Sequence, residues 1–212
     1  MKVEESTTHK LILASASPRR LALLRQIGIQ PDHLHPADID ETPYKKEHPR
    51  FLARRLAYNK ALKVQEEIRM MEDYKFSYIL SADTVVSVGR MILPKPQHED
   101  EARECLKLLS GRTHKVHTAI CLITPHGRAH RKLVENRLRF SRLSPSVIDA
   151  YVATEEWQGK AGGYAIQGFA GSFVLRLVGS YSGVMGLPLA ETFRLLESQS
   201  YPVHSQWGKS LL

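Results

Sequence analysis

The apolar run from Tyr78 to Val88 limits the possible folds more than any other feature of this sequence. Its length and its content of Ile and Val predict a buried β-strand. Gly89-Arg90 then provides a two-residue turn and Met91-Ile92-Leu93 returns, so the segment predicts a β-hairpin. Because the strands of a hairpin are antiparallel, a sheet that contains this run cannot be wholly parallel.

Helix and strand patterns alternate along the rest of the chain. Helices are expected from Pro18 to a stop at Gly28, from about 50 to 68, over 99–109, from Pro145 to about 153 and from Pro188 onward. Further strands are expected at Leu11–Ala14, Thr113–Thr124, Leu133–Phe140 and Phe173–Val178. A polar stretch from Pro31 to Pro49 separates the first two helices. Alternation interrupted by hairpins predicts an α/β fold with a mixed sheet.

The composition is that of an ordinary globular protein. The chain has 212 residues, of which 42% are hydrophobic and 25% charged, as expected for one domain or two small lobes with a shared core. No apolar run approaches the ~18 residues that cross a bilayer, and the first residues resemble neither a secretory signal nor a transit peptide. Cys105 and Cys121 are expected to be free core thiols. These features predict a cytoplasmic protein without a membrane partner.

The charge balance is unusual. Thirty Lys and Arg residues against 22 Asp and Glu residues give a net charge of +8 at pH 7. This excess favours an anionic partner such as a nucleotide, a nucleic acid or phosphate, and it does not distinguish among them.

Several residues break local rules, and functional residues are best sought at such places. Arg19 and Arg20 lie in the first turn of a predicted helix, where the positive end of the helix dipole disfavours cations. Together with the hydroxyls of Ser15 and Ser17 and the free N–H groups of this turn, they would suit a bound phosphate. Arginines that point into solvent are the alternative.

Lys60 and Asp83 interrupt apolar patterns. Lys60 lies four residues after Leu56 and four before Val64, so it either snorkels to the protein surface or places a cation at the edge of a cavity. Asp83 lies inside the buried strand, where an unpaired carboxylate is costly, so it must meet a cation, a metal or several donors. A purely structural hydrogen bond is the alternative to a functional role for Asp83.

Lys95 and Gln167 lie in segments with a special backbone. Pro94 and Pro96 hold Lys95 in an extended backbone, which suits either a pre-placed lysine or a solvated loop. Gln167 lies in a Gly-rich segment, and its amide offers both a donor and an acceptor. Four cations and one carboxylate from separate segments predict a polyphosphate site and leave the reaction open.

At these residues the sequence resembles the Maf family of nucleoside triphosphate pyrophosphatases, also called septum formation inhibitor proteins. The motifs that carry the resemblance follow the family order from about Lys10 to Leu196, and together they are highly specific. They are LILASASPRR at 11–20, DETP at 40–43, SADTVV at 81–86, KP at 95–96, LSG at 109–111, KAGGYAIQG at 160–168 and GLPL at 186–189. Pro94 departs from the family, which commonly has Gly or an acidic residue there.

The resemblance implies a fold, a reaction and an assembly. The implied fold has a mixed, curved central β-sheet flanked by helices, with two lobes around a cleft, as in inosine triphosphatase-like proteins. The implied reaction hydrolyses a nucleoside triphosphate between its α and β phosphates with the help of Mg²⁺ or Mn²⁺. The family suggests a homodimer, a role in clearing the nucleotide pool and a link to cell division arrest. The chain would then comprise an N-terminal extension (1–9), a Maf-like domain (10–200) and a C-terminal tail (201–212).

The resemblance also assigns roles to individual residues. The implied catalytic residues are Glu41, Lys60, Asp83 and Lys95, with Glu41 and Asp83 as metal ligands. The implied substrate-binding residues are Ser15, Arg19, Arg20, Thr84 and Gln167. Asp83 is expected to activate the attacking water. Thr84 and Gln167 match the branch of the family that acts on dTTP and UTP.

Two other functions stay open. A nucleic-acid-binding module is favoured by the stretch 126–142, which has six Lys or Arg residues and a single acid, Glu135. This stretch has few aromatic residues for stacking on bases, and a solvated charged face is the simpler interpretation. The other possibility is a regulatory protein of cell division that performs no turnover.

Overall fold

The structure is a computed structural model, and it describes residues 10–205 and residue 207. The expected N-terminal extension, residues 1–9, lies outside the described residues, and so do residues 206 and 208–212 of the expected tail. Within the described part, no helix is long and apolar enough to cross a membrane.

Strands and helices alternate along the described chain. The strands are β1 (Leu11–Leu13), β2 (His33–Leu34), β3 (Tyr78–Val88), β4 (Met91–Leu93), β5 (Thr113–Ile123), β6 (Ala129–Phe140) and β7 (Val174–Val178). The helices are α1 (Pro18–Gln26), α2 (Pro49–Ile68), α3 (Glu99–Leu109), α4 (Pro145–Val152), α5 (Tyr181–Met185) and α6 (Leu189–Ser198). Short 3₁₀ turns cover Glu72–Tyr74, Ala161–Gly163 and Phe169–Phe173.

The strands form one mixed sheet in the order β2-β1-β3-β5-β6-β7, with β4 paired to β3. β1 runs parallel to β2 and to β3, whereas the other pairs are antiparallel. The turn between β3 and β4 has Gly89 at φ 60°, a left-handed conformation that glycine adopts readily. The predicted α/β fold with a mixed sheet and the predicted hairpin are therefore confirmed.

Alternation of side chains along β3 divides the core between two faces of the sheet. Ile79 and Val85 pack on one face, under α2. On the other face Leu80 packs with residues of α1 and α6, whereas Val86 packs with residues of α3 and α4. Met185 of α5 contacts both of these clusters. The second face thus carries two hydrophobic clusters.

One edge of β3 has a gap in its strand partners. β5 pairs with β3 along one edge. On the opposite edge, β1 pairs with residues 78–80 of β3, and β4 pairs with residues 86–88 of β3. Within the described chain, residues 81–85 have no neighbouring strand on that edge. Asp83 and Thr84 lie in the middle of this gap, and their side chains point to opposite faces because they are consecutive in a strand.

The structure differs from the sequence prediction in short or charged segments. β6 begins at Ala129 instead of Leu133, because its pairing with β5 continues through charged residues to Ile123. β2 lies in the polar stretch and consists of His33 and Leu34, which pair with β1. Neither β2 nor the short helix α5 was predicted, because so few residues show no periodic pattern.

His114 of β5 lies in an aromatic cluster on the second face. It is 1% exposed, its Nε2 atom lies 2.8 Å from the Tyr164 hydroxyl, and its ring packs edge-on against Phe140. Burial lowers the pKa of His114 to about 4, so the ring is neutral in the folded protein at pH 7.

The two cysteines, Cys105 and Cys121, are buried and free, as predicted.

Candidate active site

An open cleft of about 500 Å³ lies at the gap in the edge of β3. Its walls come from the β1–α1 connection, α2, the loop after β4, the segment 158–167 and the end of α5. Every site residue that the sequence predicted lines this one cleft: Ser15, Arg19, Arg20, Glu41, Lys60, Asp83, Thr84, Lys95 and Gln167. Segments far apart in the sequence therefore meet at one place, and the role of each residue there stays a prediction.

A chain of ion pairs crosses the cleft. The Nζ atom of Lys60 lies 2.6 Å from Asp83 Oδ1 and 2.5 Å from Glu41 Oε1. The second oxygen of Glu41 accepts a hydrogen bond from Lys95 Nζ. Lys60 is 7% exposed and Asp83 is 2% exposed, whereas Lys95 is exposed. Lys60 therefore does not snorkel to the surface, because α2 places it under the gap between two carboxylates.

Glu41 is held in its charged form. Burial alone would raise its pKa, but hydrogen bonds from Lys60 and Lys95 outweigh burial and lower the pKa of Glu41 to about 2. The carboxylate is therefore ionised at neutral pH. It connects a lysine of α2 with a lysine of the loop after β4, and so it fixes the distance between these two cations.

The turn between β1 and α1 fixes Ser15 and Arg20. Ser15 Oγ accepts hydrogen bonds from the Ser17 N–H at 3.2 Å and from Arg20 Nη1 at 3.1 Å. Arg20 Nε donates to the Gly186 carbonyl oxygen at 2.9 Å, so Arg20 does not simply point into solvent. Ser17 is the N-cap of α1, as predicted, but its side chain makes no capping hydrogen bond. A phosphate oxygen would supply the missing acceptor at this helix start.

Arg19 and Lys160 bring two more cations to the cleft. Burial and the neighbouring Arg20 lower the pKa of Arg19, and burial and Arg19 lower the pKa of Lys160. Because like charges in one site destabilise each other, a bound anion would relieve this repulsion. The sequence motif included Lys160, but nothing in its local pattern marked it as a site residue.

Thr84 lies on the face of β3 opposite to Asp83. Its hydroxyl oxygen is 3.1 Å from that of Thr118, and Thr118 donates its own proton to the Gly183 carbonyl oxygen at 2.7 Å. Thr84 is therefore the donor to Thr118, and its oxygen remains an acceptor. Thr118 was not predicted as a supporting residue, because only the pairing of β3 with β5 places it opposite Thr84.

Gln167 lies at the exposed part of the cleft lining. Its neighbour Ile166 is buried, whereas Gln167 itself is exposed. Within the part of the chain that the structure describes, its side-chain amide makes no hydrogen bond. The amide is therefore available to a ligand in the cleft.

A divalent metal was expected at Asp83 and Glu41. Among the described residues, no group of three or more His, Cys, Asp or Glu side chains could hold a metal ion. Both Glu41 oxygens and one Asp83 oxygen already have lysine partners. Mg²⁺ often binds only one or two carboxylates and completes its shell with water and substrate phosphates. Asp83 together with a bound polyphosphate fits this pattern, whereas Glu41 would first have to give up a lysine.

The basic stretch 126–142 forms β6 and the residues that flank it. None of its residues lines the cleft. Glu135 pairs with Lys115 at 2.8 Å and with Arg137 at 3.6 Å, and the Arg131 guanidinium lies 4.6 Å from the centre of the Tyr58 ring. Arg131 and Arg137 of this stretch therefore already interact with side chains of the same protein.

Comparison with known proteins agrees with the motifs. A family model described as Maf-like protein matches residues 10–199. The dTTP/UTP pyrophosphatase of Brucella abortus (strain 2308) is 62% identical over 200 residues, which cover 94% of this chain and 96% of the relative. Those of Chelativorans sp. (strain BNC1) and Mesorhizobium japonicum are 58% and 56% identical over 202 residues, 95% of this chain and 97% of each relative. The chain therefore belongs to the Maf family.

Proposed function

We propose that this protein hydrolyses nucleoside triphosphates to nucleoside monophosphates and pyrophosphate, with dTTP and UTP as its preferred substrates. The observation that carries the proposal is the convergence of cations and carboxylates in one cleft: Arg19, Arg20, Lys60, Lys95, Lys160, Glu41 and Asp83. A triphosphate carries enough negative charge to match this set of cations. The relatives named dTTP/UTP pyrophosphatase support the choice of nucleotide.

In this proposal the cations bind and orient the triphosphate. Arg20 is held by Gly186 and Ser15, so its guanidinium is already positioned at the start of α1 before substrate arrives. Lys60 and Lys95 are held by Glu41 and would neutralise charge on the departing pyrophosphate. Such positioning lowers the barrier because little reorganisation is left for the reaction itself.

Asp83 is the group that we assign to the attacking water. Water attacks the α-phosphorus, its oxygen stays in the monophosphate, and the bond to the bridging oxygen breaks so that pyrophosphate leaves. Asp83 would orient the water and accept its proton, and Lys60 at 2.6 Å keeps the carboxylate in place. A divalent metal held by Asp83 and the substrate phosphates would supply additional neutralisation of phosphate charge.

The choice of base is assigned to Gln167 and Thr84. The free amide of Gln167 can donate to a carbonyl oxygen and accept from the N3–H group of uracil or thymine. The oxygen of Thr84 remains an acceptor on the same side of the sheet as Gly183. These two side chains lie outside the ion-pair chain, so separate residues recognise the base and bind the phosphates.

Pyrophosphate release from a panel of nucleotides tests the proposal. Purified protein is incubated with UTP, dTTP, CTP, ATP or GTP in the presence of Mg²⁺ or Mn²⁺. The expected result is release of pyrophosphate, fastest from UTP and dTTP. Release of orthophosphate in place of pyrophosphate would contradict cleavage between the α and β phosphates, and no release from any nucleotide would contradict hydrolysis altogether.

We also propose that the protein acts in the cytoplasm as a homodimer. The support is the family resemblance and, for the compartment, the nucleotide pool on which such an enzyme would act. Light scattering of the purified full-length chain tests the assembly, and a mass equal to that of one chain would contradict the dimer.

A further inference from the structure

The loop that carries Gln167 is fixed on both sides by side chains from the end of α4 and the residues just after it. On one side, the Ala165 N–H donates to the Tyr151 hydroxyl oxygen at 3.0 Å. On the other side, the Phe169 N–H donates to both oxygens of Glu156, at 3.0 and 3.2 Å. Gln167 lies midway between these two attachment points and is itself free of hydrogen bonds in the described chain.

The attachment at Glu156 brings its carboxylate close to the backbone beside Gln167. A Cβ atom added to Gly168 would lie 2.2 Å from Glu156 Oε1 and 2.3 Å from Oε2. A Cβ atom added to Gly171 would lie 2.6 Å from the Ile166 carbonyl oxygen. The backbone beside Gln167 therefore packs directly on the carboxylate and on itself.

The attachment at Tyr151 is buried and packed against other aromatic residues. Tyr151 is 2% exposed, and its ring packs edge-on against Phe173 at 5.4 Å between centroids. The next part of the chain is held by Trp157, whose indole N–H donates to the Val152 carbonyl oxygen at 3.0 Å. Burial raises the pKa of Tyr151, and the nearby Glu156 carboxylate adds to this effect, so its hydroxyl stays protonated.

We propose that Tyr151 and Glu156 are positioning residues that determine base selection by holding Gln167 in register with the cleft. The proposal rests on the proposed function, in which Gln167 contacts the base. Neither residue belongs to the ion-pair chain of Lys60 and Lys95. Glu156 does act on Lys160, because its negative charge opposes the lowering of the Lys160 pKa. Removal of that negative charge does not weaken the attraction of the cleft for phosphates, so we expect loss of either residue to weaken recognition of the base and not that of the phosphates.

The test separates these two kinds of recognition. The kcat/KM for UTP and for GTP is measured, and inorganic tripolyphosphate, which has no base, is used as a competitive inhibitor. Tyr151→Phe and Glu156→Ala are each expected to raise the KM for UTP and to lower the UTP-to-GTP ratio of kcat/KM by about tenfold, the size of effect that one hydrogen bond to a backbone group can have. The inhibition constant of tripolyphosphate is expected not to rise by more than twofold, because neither variant removes a cation from the cleft.

Conservative variants provide the controls. Glu156→Gln keeps an oxygen that can accept from the Phe169 N–H, so it is expected to retain most of the UTP preference. Tyr78→Phe removes a tyrosine hydroxyl that donates to the Gln199 carbonyl oxygen at 2.6 Å, outside the cleft lining. It is expected to retain the wild-type ratio even if its thermal stability falls.

The outcomes distinguish the two proposals. If Tyr151→Phe and Glu156→Ala keep the wild-type UTP-to-GTP ratio, or raise the tripolyphosphate constant in step with the UTP KM, the positioning role is wrong and the proposed function stands. If the wild-type protein hydrolyses UTP and GTP equally well, the proposed base preference is wrong and the positioning role falls with it. Should Tyr151→Phe fail to fold, Glu156→Ala decides alone, because Glu156 is only half-buried.

Discussion

Lys60 carries a charge at a place that solvent hardly reaches. A buried ion pair adds little net stability, but removal of one partner leaves the other charge uncompensated at a cost of several kcal/mol. Asp83 is 2% exposed and has Lys60 as its ion-pair partner. Glu41 is less dependent on any one lysine, because it pairs with both Lys60 and Lys95.

A comparison of two lysine variants tests this difference. Lys60→Met is expected to lower the free energy of unfolding by about 3–5 kcal/mol, because Asp83 is left buried without its ion-pair partner. Lys95→Met makes the same chemical change at an exposed lysine and is expected to cost less than about 1 kcal/mol. Urea unfolding followed by circular dichroism measures both values, and equal losses would show that burial of Lys60 does not matter.

The assignment of Asp83 to the attacking water predicts a loss of rate. Asp83→Asn is expected to lower kcat for UTP by about 10²–10⁴, because the amide cannot accept the proton of the water. Far-UV circular dichroism should stay unchanged, since the side chain keeps its shape and Lys60 keeps Glu41 as a partner. Asp149→Asn, at an exposed ion pair with Arg103, is the matched control and should keep the wild-type rate. A wild-type rate in Asp83→Asn would remove Asp83 from the mechanism.

Among the elements, the 3₁₀ turn Ala161–Gly163 joins two walls of the cleft. The Gly162 N–H donates to the Pro94 carbonyl oxygen at 2.8 Å, next to Lys95. Gly162 has φ 71°, and an added Cβ atom would lie 2.8 Å from Val86 Cγ1. The turn therefore couples the loop of Lys95 to the segment that continues to Gln167, and it does so through close packing on β3.

Two glycine substitutions separate backbone strain from packing. Gly162→Ala is expected to lower the free energy of unfolding by about 2–4 kcal/mol, through the left-handed backbone and the clash with Val86. Gly89→Ala is expected to cost only about 1 kcal/mol, because Gly89 has a similar φ of 60° but nothing within 4 Å of an added Cβ atom. Differential scanning calorimetry provides the comparison. A smaller loss at Gly162 than at Gly89 would contradict close packing of the turn.

The elements that could be predicted are those with long periodic patterns or strong turn signals. β3, β4 and α3 have the predicted bounds, because an apolar run, a Gly-containing turn and an amphipathic stripe each mark them. Arg19, Arg20, Lys60 and Asp83 could be nominated because each one breaks a local rule, whereas Glu41 and Thr84 could be nominated only from the family resemblance. Their partners could not be predicted: Glu41 and Asp83 meet Lys60 only when the fold brings three segments together. Lys160 could not be predicted as a site residue either, because its pKa is lowered by burial and by Arg19, which comes from a distant helix.

For the whole molecule, buried histidine makes stability depend on pH. The pKa of His114 is lowered by burial to about 4, whereas an unfolded histidine titrates near 6.5. A depressed histidine pKa means that the folded state disfavours the proton. Its contribution to stability is therefore fully present above pH 6.5 and is lost as the pH falls from 6.5 towards 4. The pKa of His117 is also lowered by burial, so His117 adds to the loss of stability as the pH falls below 6.5.

Unfolding at several pH values measures this effect. Between pH 7 and pH 5, His114 is expected to account for a loss of about 2 kcal/mol in the free energy of unfolding. In His114→Gln, the loss in the free energy of unfolding between pH 7 and pH 5 should be smaller by that amount. This variant also lowers stability at pH 7, because it disturbs the contact with Tyr164. His126→Gln, at an exposed histidine in the turn between β5 and β6, should leave the slope unchanged. The same slope in both variants would contradict a neutral His114.

The position of Asp83 and Thr84 as consecutive residues in the gap of β3 has a consequence for changes in chain length. A strand that slips by one residue turns every side chain to the other face of its sheet. One residue inserted between Tyr78 and Asp83 would therefore move the carboxylate away from Lys60 and Thr84 away from Thr118 in a single step. An insertion at Gly127, in the turn between β5 and β6, would leave both contacts in place. Homologous chains should thus vary in length at their turns and keep the first half of β3 free of insertions and deletions.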